Sequence, residues 1–322
     1  MKQNKYHTYI WACEFNNYSG EGKLALLFLK YLKNNKKIGN FVIETPRGMY
    51  KNFKSKKITN DLDSVANFYS KYITPFVGIY KIYKNQYFHR RKTIYINYAP
   101  IWNFVLFLLL PKKTILGPIT GSDFFKISNM RSFTRFCMIK ILKIISKLII
   151  RIKYRSLIFS TNLVDFKKNK YQNLFQLQYI AKKKIRKIKT KKIDLIFYYR
   201  NHPNKYNNYE INYLKKLIKS GKKIKIVGDF LPELSKYCTG YLSQEKLIKL
   251  LDRSKFTISS FENPFSFFIQ DALLSNVNII FHKQQKKLIS EYYEDFFLID
   301  FSKNNFFNLK NKNKKTKLKS IF

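Results

Sequence analysis

Glu262 stands between a β-like run, KFTISS, and a helical segment opened by Asn263 and Pro264, within the stretch SSFENPFSFFIQDALLSNVNIIF (259–281). The unpaired N–H groups of a first helical turn stabilise a nearby carboxylate. The plain reading is therefore helix entry, with Asn263 as N-cap and Pro264 in the first turn. Upstream, Arg200 and Lys205 share one loop, YYRNHPNKYNNYE, just past another β-like run. Two cations at one strand end suit a diphosphate, Arg through forked hydrogen bonds and Lys as a point charge. Near the N-terminus, Gly20 and Gly22 flank Glu21 between a strand and an amphipathic helix. Glycines there let backbone N–H groups approach an anion; a turn capped by Ser19 explains them equally well. Asp123, in ILGPITGSDFF, is the general-base candidate of its loop. It competes with a turn role after Gly121.

These groups need strands to present them. β-like runs at 6–13, 39–44, 93–97, 114–119 and 157–160 alternate with segments of helical apolar spacing. After a basic, loop-like stretch at 181–192 the pattern restarts with IDLIFYY, KIKIVGD, YCTGYL, KFTISS, VNIIF and FFLIDF. Strands alternating with helices predict parallel sheets covered on both faces, here in two domains. Ligand sites are then expected at the carboxyl ends of the strands and in a cleft between the domains. The expected divisions are 1–180 for the first domain, 181–192 for the linker, 193–303 for the second and 304–322 for a frayed, lysine-rich tail that is mobile unless docked.

Composition excludes several classes. With 45% apolar and 17% aromatic residues over 322 positions, the chain has material for two cores and is unlike a disordered one. The net charge of +44 suggests an anionic partner, yet only 10 of the 63 basic residues are Arg. Base-reading surfaces lean on Arg, so no specific nucleic acid is expected. Cys13, Cys137 and Cys238 are dispersed and odd in number, which excludes a disulfide framework and fits a reducing cytoplasm. The N-terminus has no signal-peptide h-region, and the longest uncharged apolar run, 101–110, is too short to span a bilayer. Asp61 and Asp63 have the spelling of a metal-binding Asp-x-Asp pair, but they precede apolar residues at helical spacing and read as first-turn dipole partners. The four His show no ligand spacing, and no metal or other cofactor is expected.

From 193 to 282 the order of strand, Arg200 and Lys205, helix, KIKIVGD, GYLSQEKLIKLL, SKFTISS, Glu262, helix and Ala-Leu resembles the donor domain of the GT-B glycosyltransferases, in particular the large retaining group. SGEGKLALLFLKYL is similar to the glycine-rich loop of that group's other domain. The resemblance implies an α/β fold of two Rossmann-like domains facing each other across a cleft, acceptor domain first and donor domain second. It implies transfer of a sugar, hexosyltransferase-like, from a nucleotide-diphosphate sugar to a glycan or lipid-linked acceptor in cell-surface polysaccharide or lipopolysaccharide synthesis. Arg200 and Lys205 would hold the donor diphosphate and Glu262 the donor sugar hydroxyls, beside Asn263. With the diphosphate on the helix N–H groups, Glu262 is repelled by that anion and must turn toward neutral donors. The family's second acid, on the ribose, falls at Gln270 by spacing and at Asp271 by its place before Ala272 and Leu273. One residue is about 100° of helix, so the two are alternatives.

Lys140, Lys143, Lys147 and Arg151 recur at spacings of three and four along an expected helix, 135–154, otherwise rich in Ile and Leu. As one basic stripe they would let that helix lie on an anionic membrane surface, placing the chain at the inner face of the membrane; they also fit a packing helix whose lysines face water. The competing functional class is a non-catalytic basic α/β protein that binds nucleic acid or another anionic polymer.

Overall fold

The computed structural model describes residues 7–15, 19–35, 38–46, 48–51, 68–97, 99–127, 129–154, 157–164, 166, 171–172, 190–201, 209–301 and 315–319. Lys205, the pair Asp61 and Asp63, and most of the expected linker lie outside the described residues. The chain forms two compact units: Met1–Gly121 with Thr134–Gln178, and Ser122–Phe133 with Tyr179–Phe322. A short stretch from within the first half of the sequence therefore groups with the second unit.

The first unit holds strands β1 (Thr8–Ala12), β2 (Phe41–Thr45), β3 (Gly48–Lys51), β4 (Lys92–Ile96), β5 (Ile115–Ile119), β6 (Ile158–Ser160) and β7 (Tyr171–Gln172), in spatial order β3-β2-β1-β4-β5-β6-β7. Among the described strands of this sheet only β3 runs antiparallel, paired with β2 so that Thr45 faces Gly48. β1 and β5 are buried at every position. Uniformly apolar runs of this kind suit a parallel sheet covered on both faces. Helices α1 (Gly20–Asn34), α2 (Phe68–Tyr83), α3 (Phe104–Leu109) and α4 (Met130–Lys153) complete the unit, except that the first turn of α4 groups with the second. In α1, Leu24, Phe28, Leu29 and Leu32 form the buried stripe, and Phe28 meets Phe159 edge-on with ring centroids 4.9 Å apart. The Tyr9 phenol donates to Glu44 Oε2 (2.7 Å) while Lys81 Nζ pairs with Oε1 (2.8 Å), tying together β1, β2 and α2.

The second unit holds a wholly parallel sheet of β8 (Ile193–Tyr199), β9 (Ile224–Gly228), β10 (Ser254–Ile258), β11 (Asn278–His282) and β13 (Phe297–Ile299), in order β13-β11-β10-β8-β9. A separate antiparallel pair joins β12 (Tyr293–Asp295) to β14 (Lys317–Leu318). Its helices are α5 (Ile211–Lys219), α6 (Gln244–Leu251), α7 (Phe267–Leu274) and α8 (Lys286–Tyr292). Leu195, Phe197 and Tyr199 of β8 are buried in one cluster with Leu214 and Leu217 of α5. Truncating an aromatic there, such as Phe197→Ala, costs about 3–5 kcal/mol.

One local expectation changes, and one alternative is decided. YCTGYL is not a strand: a 3-10 turn (Pro232–Tyr237) leads to a single bridge between Cys238 and Ile226, and Gly240 turns the chain away at φ +69°. The C-terminal tail, where described, is docked and not frayed. Thr316 Oγ1 accepts from the Ile279 N–H (2.9 Å), and Asn278 Oδ1 accepts from the Thr316 N–H (3.2 Å).

Candidate functional site

β8 is the first strand of the second sheet, with β9 on one side of it and β10 on the other. Open α/β sheets bind ligands outside the carboxyl ends of the strands at such a reversal of strand order. Arg200 directly follows β8, and Glu262 lies four residues past β10, so adjacent parallel strands deliver the two residues to opposite sides of the reversal.

The two meet electrostatically at Tyr209. Burial, then Tyr198, then the charge of Glu262 raise the Tyr209 phenol pKa, while a backbone hydrogen bond from Arg200 and the Arg200 charge oppose the rise. β9 contributes Asp229 through a turn that only glycine permits. Gly228 has φ +104°, and a Cβ there would overlap the Tyr199 carbonyl oxygen. Asp229 Oδ2 accepts from the Asn201 N–H (2.6 Å), which pins the loop that carries Arg200. The Tyr241 phenol is pushed up to about 12, by partial burial and by its hydrogen bond to Asp229.

The Glu262 loop is held from several sides. Gln285, fully buried, donates from Nε2 to the carbonyls of Ser260 (3.2 Å) and Phe261 (2.9 Å). Ser260 Oγ accepts from the Asn263 N–H (3.0 Å), and Asn263 Oδ1 accepts from the Phe265 N–H (3.0 Å). The remaining brace is remote in sequence. Ser122 Oγ donates to the Glu262 carbonyl (2.8 Å), Phe124 packs edge-on against Phe261 (centroids 5.9 Å apart), and Lys126 pairs with Glu210. The stretch 122–126 thereby brings the exposed Asp123 into the same loop cluster as Glu262.

Beneath this loop lies His282, buried to 2% exposure. Its Nε2 sits 3.2 Å from the Ser259 carbonyl, which only accepts, so the proton is assigned to Nε2 and Nδ1 faces Glu210 Oε1 at 3.7 Å. Burial, then the Lys126 charge, lowers the imidazole pKa to about 3. His282 is thus neutral near pH 7, and the cation that balances Glu210 is Lys126.

The remaining sequence candidates separate. Asn263 is not the N-cap: α7 starts at Phe267, and Ser266 Oγ accepts from the Ile269 N–H (3.4 Å). Glu262 therefore lies outside the first turn, and the helix-entry explanation built on Pro264 falls away. Gln270 and Asp271 are both buried, at 1% and 4% exposure, and Gln270 Nε2 donates to the Phe265 carbonyl (3.0 Å), bracing the turn before α7. Gly20 opens α1, and the Gly22 N–H is taken by the N-cap Ser19 (2.9 Å). Beside them Asn97, which follows β4 at φ +69°, donates from Nδ2 to the Glu21 carbonyl (2.8 Å) across the strand-order reversal of the first sheet.

On α4 the expected single basic stripe is divided. Lys143 shares the buried face with Ile139, Ser146 and Ile150, whereas Arg151 is exposed, Lys140 lies over the Phe136 ring (5.3 Å) and Lys147 over Phe166 (5.9 Å). Residues at 139, 143, 146 and 150 repeat every three or four positions and so share one helix face.

Sequence reading missed Ser122, Lys126, Asp229, Gln285 and the pair Glu210 and His282. Only Asp229 left a local signal, as a Gly-Asp pair closing the KIKIVGD run. Among the described residues, no group of three or more His, Cys, Asp or Glu could hold a metal ion, and no helix is long and apolar enough to cross a membrane.

No family model and no curated protein matches the sequence. Among solved structures the chain is similar to the glycotransferase of kitacinnamycin, at 9% identity over 94% of this chain and 88% of that one, with a TM-score of 0.43. It is also similar to the E. coli heptosyltransferase WaaC with ADP, at 11% identity over 85% of this chain and 86% of that one (TM-score 0.31), and to the same enzyme with ADP-2-deoxy-2-fluoro heptose, at 11% identity over 85% and 88% (TM-score 0.28).

Proposed function

We propose that this protein is a glycosyltransferase that moves a sugar from a nucleotide-diphosphate sugar to a glycan or lipid-linked acceptor, in the synthesis of cell-surface polysaccharide or lipopolysaccharide. The observation that carries the reading is the delivery of Arg200 and Glu262 by adjacent parallel strands to a strand-order reversal. It joins the donor-domain resemblance of residues 193–282.

In this reading Arg200, with Lys205, holds the diphosphate, and the Glu262 carboxylate accepts from sugar hydroxyls. The acceptor hydroxyl attacks the anomeric carbon, the bond from that carbon to the diphosphate oxygen breaks, and the nucleoside diphosphate leaves with the electron pair. Asp123 takes the proton of the acceptor hydroxyl. The reaction needs no metal, because Arg200 and Lys205 neutralise the leaving diphosphate.

The test is a panel of nucleoside diphosphates and nucleotide sugars, read by calorimetric titration and by thermal shift, with release of nucleoside diphosphate as the turnover signal. A ligand that binds only the native state raises its apparent stability. Saturable binding of one nucleotide with donor-dependent release supports the assignment. Salt-sensitive binding of nucleic acid with no affinity for any nucleotide would replace it with the anionic-polymer reading.

A further inference from the structure

α4 turns an unexpected face outward. Met138, Ile141, Ile145, Leu148 and Ile152 recur at spacings of three and four, and all are exposed, Ile152 at 79%. The neighbouring helices α2 and α3 also carry exposed apolar side chains. α3 packs against α2, and the end of α4 joins α3 where the Tyr154 hydroxyl donates to the carbonyls of Phe107 (2.6 Å) and Leu110 (3.1 Å). Lys153 donates to the Phe107 and Leu108 carbonyls at the same junction. Burial, and then the nearby Tyr83 that ends α2, raise the Tyr154 phenol pKa. Leu108 and Leu109 of α3 and Phe76 and Tyr80 of α2 are exposed as well. A monomer in water rarely leaves so large an apolar face uncovered.

Charge identifies what covers it. α2, α3 and α4 contain no Asp or Glu, and residues 64–164 carry one acid, Asp123, against 17 Lys and Arg. Lys112, just beyond α3, lies near enough to Lys153 for the two like charges to oppose each other. Lys113 and Arg151, close to them in sequence, are exposed. A second copy of the chain would bring the same cations against these, whereas anionic lipid headgroups neutralise the rim while the apolar side chains enter the acyl boundary.

We infer that the joined outer face of α2, α3 and α4 docks on an anionic phospholipid surface, with apolar side chains from all three helices inserted and Lys113 and Arg151 at the headgroups. This surface is not the lysine stripe expected from the sequence, because Lys143 lies on the opposite, buried face of α4. It rests on no assignment of catalytic residues, and membrane docking and sugar transfer can each fail without the other.

The experiment is co-sedimentation of the full chain, without donor, with vesicles of phosphatidylcholine alone or containing phosphatidylglycerol. Binding is expected only to the anionic vesicles, weakening as salt rises. The variant Leu148→Asp/Ile152→Asp alters exposed side chains only, so a circular-dichroism melt should match the parent while vesicle binding falls at least tenfold. Lys113→Glu/Arg151→Glu should cost more than tenfold at low salt and little at high salt. Equal binding to both kinds of vesicle, or unchanged binding by the Asp variant, overturns the proposal. So does a parent dimer in size exclusion that the Asp variant abolishes, since a second copy then covers the face.

Discussion

The junction after β1 and the junction after β10 both lead from a parallel strand into a helix, and both drew notice in the sequence for anion-binding chemistry. At the first, Ser19 caps α1 directly, the Gly22 N–H is spent on that cap and Glu21 sits inside the first turn. At the second, Ser266 caps α7 four residues after Glu262, and the intervening loop is braced by Gln285 and by Ser122. A junction closed by its own cap uses its polar groups to start a helix. A junction braced from elsewhere can carry a carboxylate that the helix does not need.

Glycine substitutions test this contrast most forcefully. Gly228→Ala forces a Cβ into the Tyr199 carbonyl at a left-handed φ, disturbing the turn that holds the Arg200 loop, and should cost about 3 kcal/mol in urea unfolding. Gly20→Ala meets no atom within 4 Å and should change stability by under about 1 kcal/mol. Comparable losses for both would erase the distinction.

Functional variants come next. Arg200→Ala should weaken nucleoside diphosphate binding about ten- to a hundredfold, the worth of one charge-assisted contact. Glu262→Gln should keep that affinity and the parent's melting temperature while lowering sugar transfer about tenfold or more, because the amide keeps the shape but loses the charged acceptor. Normal transfer by the folded Gln variant would return Glu262 to a structural role.

Acid should weaken the braced junction through His282. Its folded pKa, about 3, lies below the ordinary value of 6.5, so the unfolded chain takes up a proton that the folded chain refuses. This contribution is fully present above pH 6.5 and is lost progressively as pH falls toward 3. Urea midpoints measured across that range should drop in the parent, and less in His282→Gln.

The caps give the smallest effects. Ser266→Ala should cost about 1 kcal/mol by thermal melt, as should Ser19→Ala. Asn263→Ala removes a turn contact outside α7 and should cost no more; a larger loss at Asn263 than at Ser266 would restore the helix start expected from Pro264.

The strands themselves were readable because β1, β5, β8 and β10 are mostly apolar and β-branched runs bounded by polar loops, a signal written within five to seven consecutive residues. Arg200 and Glu262 could be singled out because Arg200 directly follows such a run and Glu262 stands in the loop after one. The braces could not: Ser122 lies 140 residues from its acceptor, and Lys126 lies 84 from Glu210. The division of the α4 stripe has another origin. Helical periodicity marks which residues share a face, but not which of two opposed faces meets the core, and tertiary packing placed Lys143 inside.

The excursion of 122–133 into the second unit makes both units discontinuous in sequence. A graft that moves only residues 193–322 into another scaffold would leave behind the Ser122 donor to the Glu262 carbonyl and the Lys126 partner of Glu210. Recombination between related chains would therefore have to exchange two segments together. Folding meets the same constraint, because contacts of such sequence separation form only after long loops have closed, and these last clasps on the Glu262 loop should lock late.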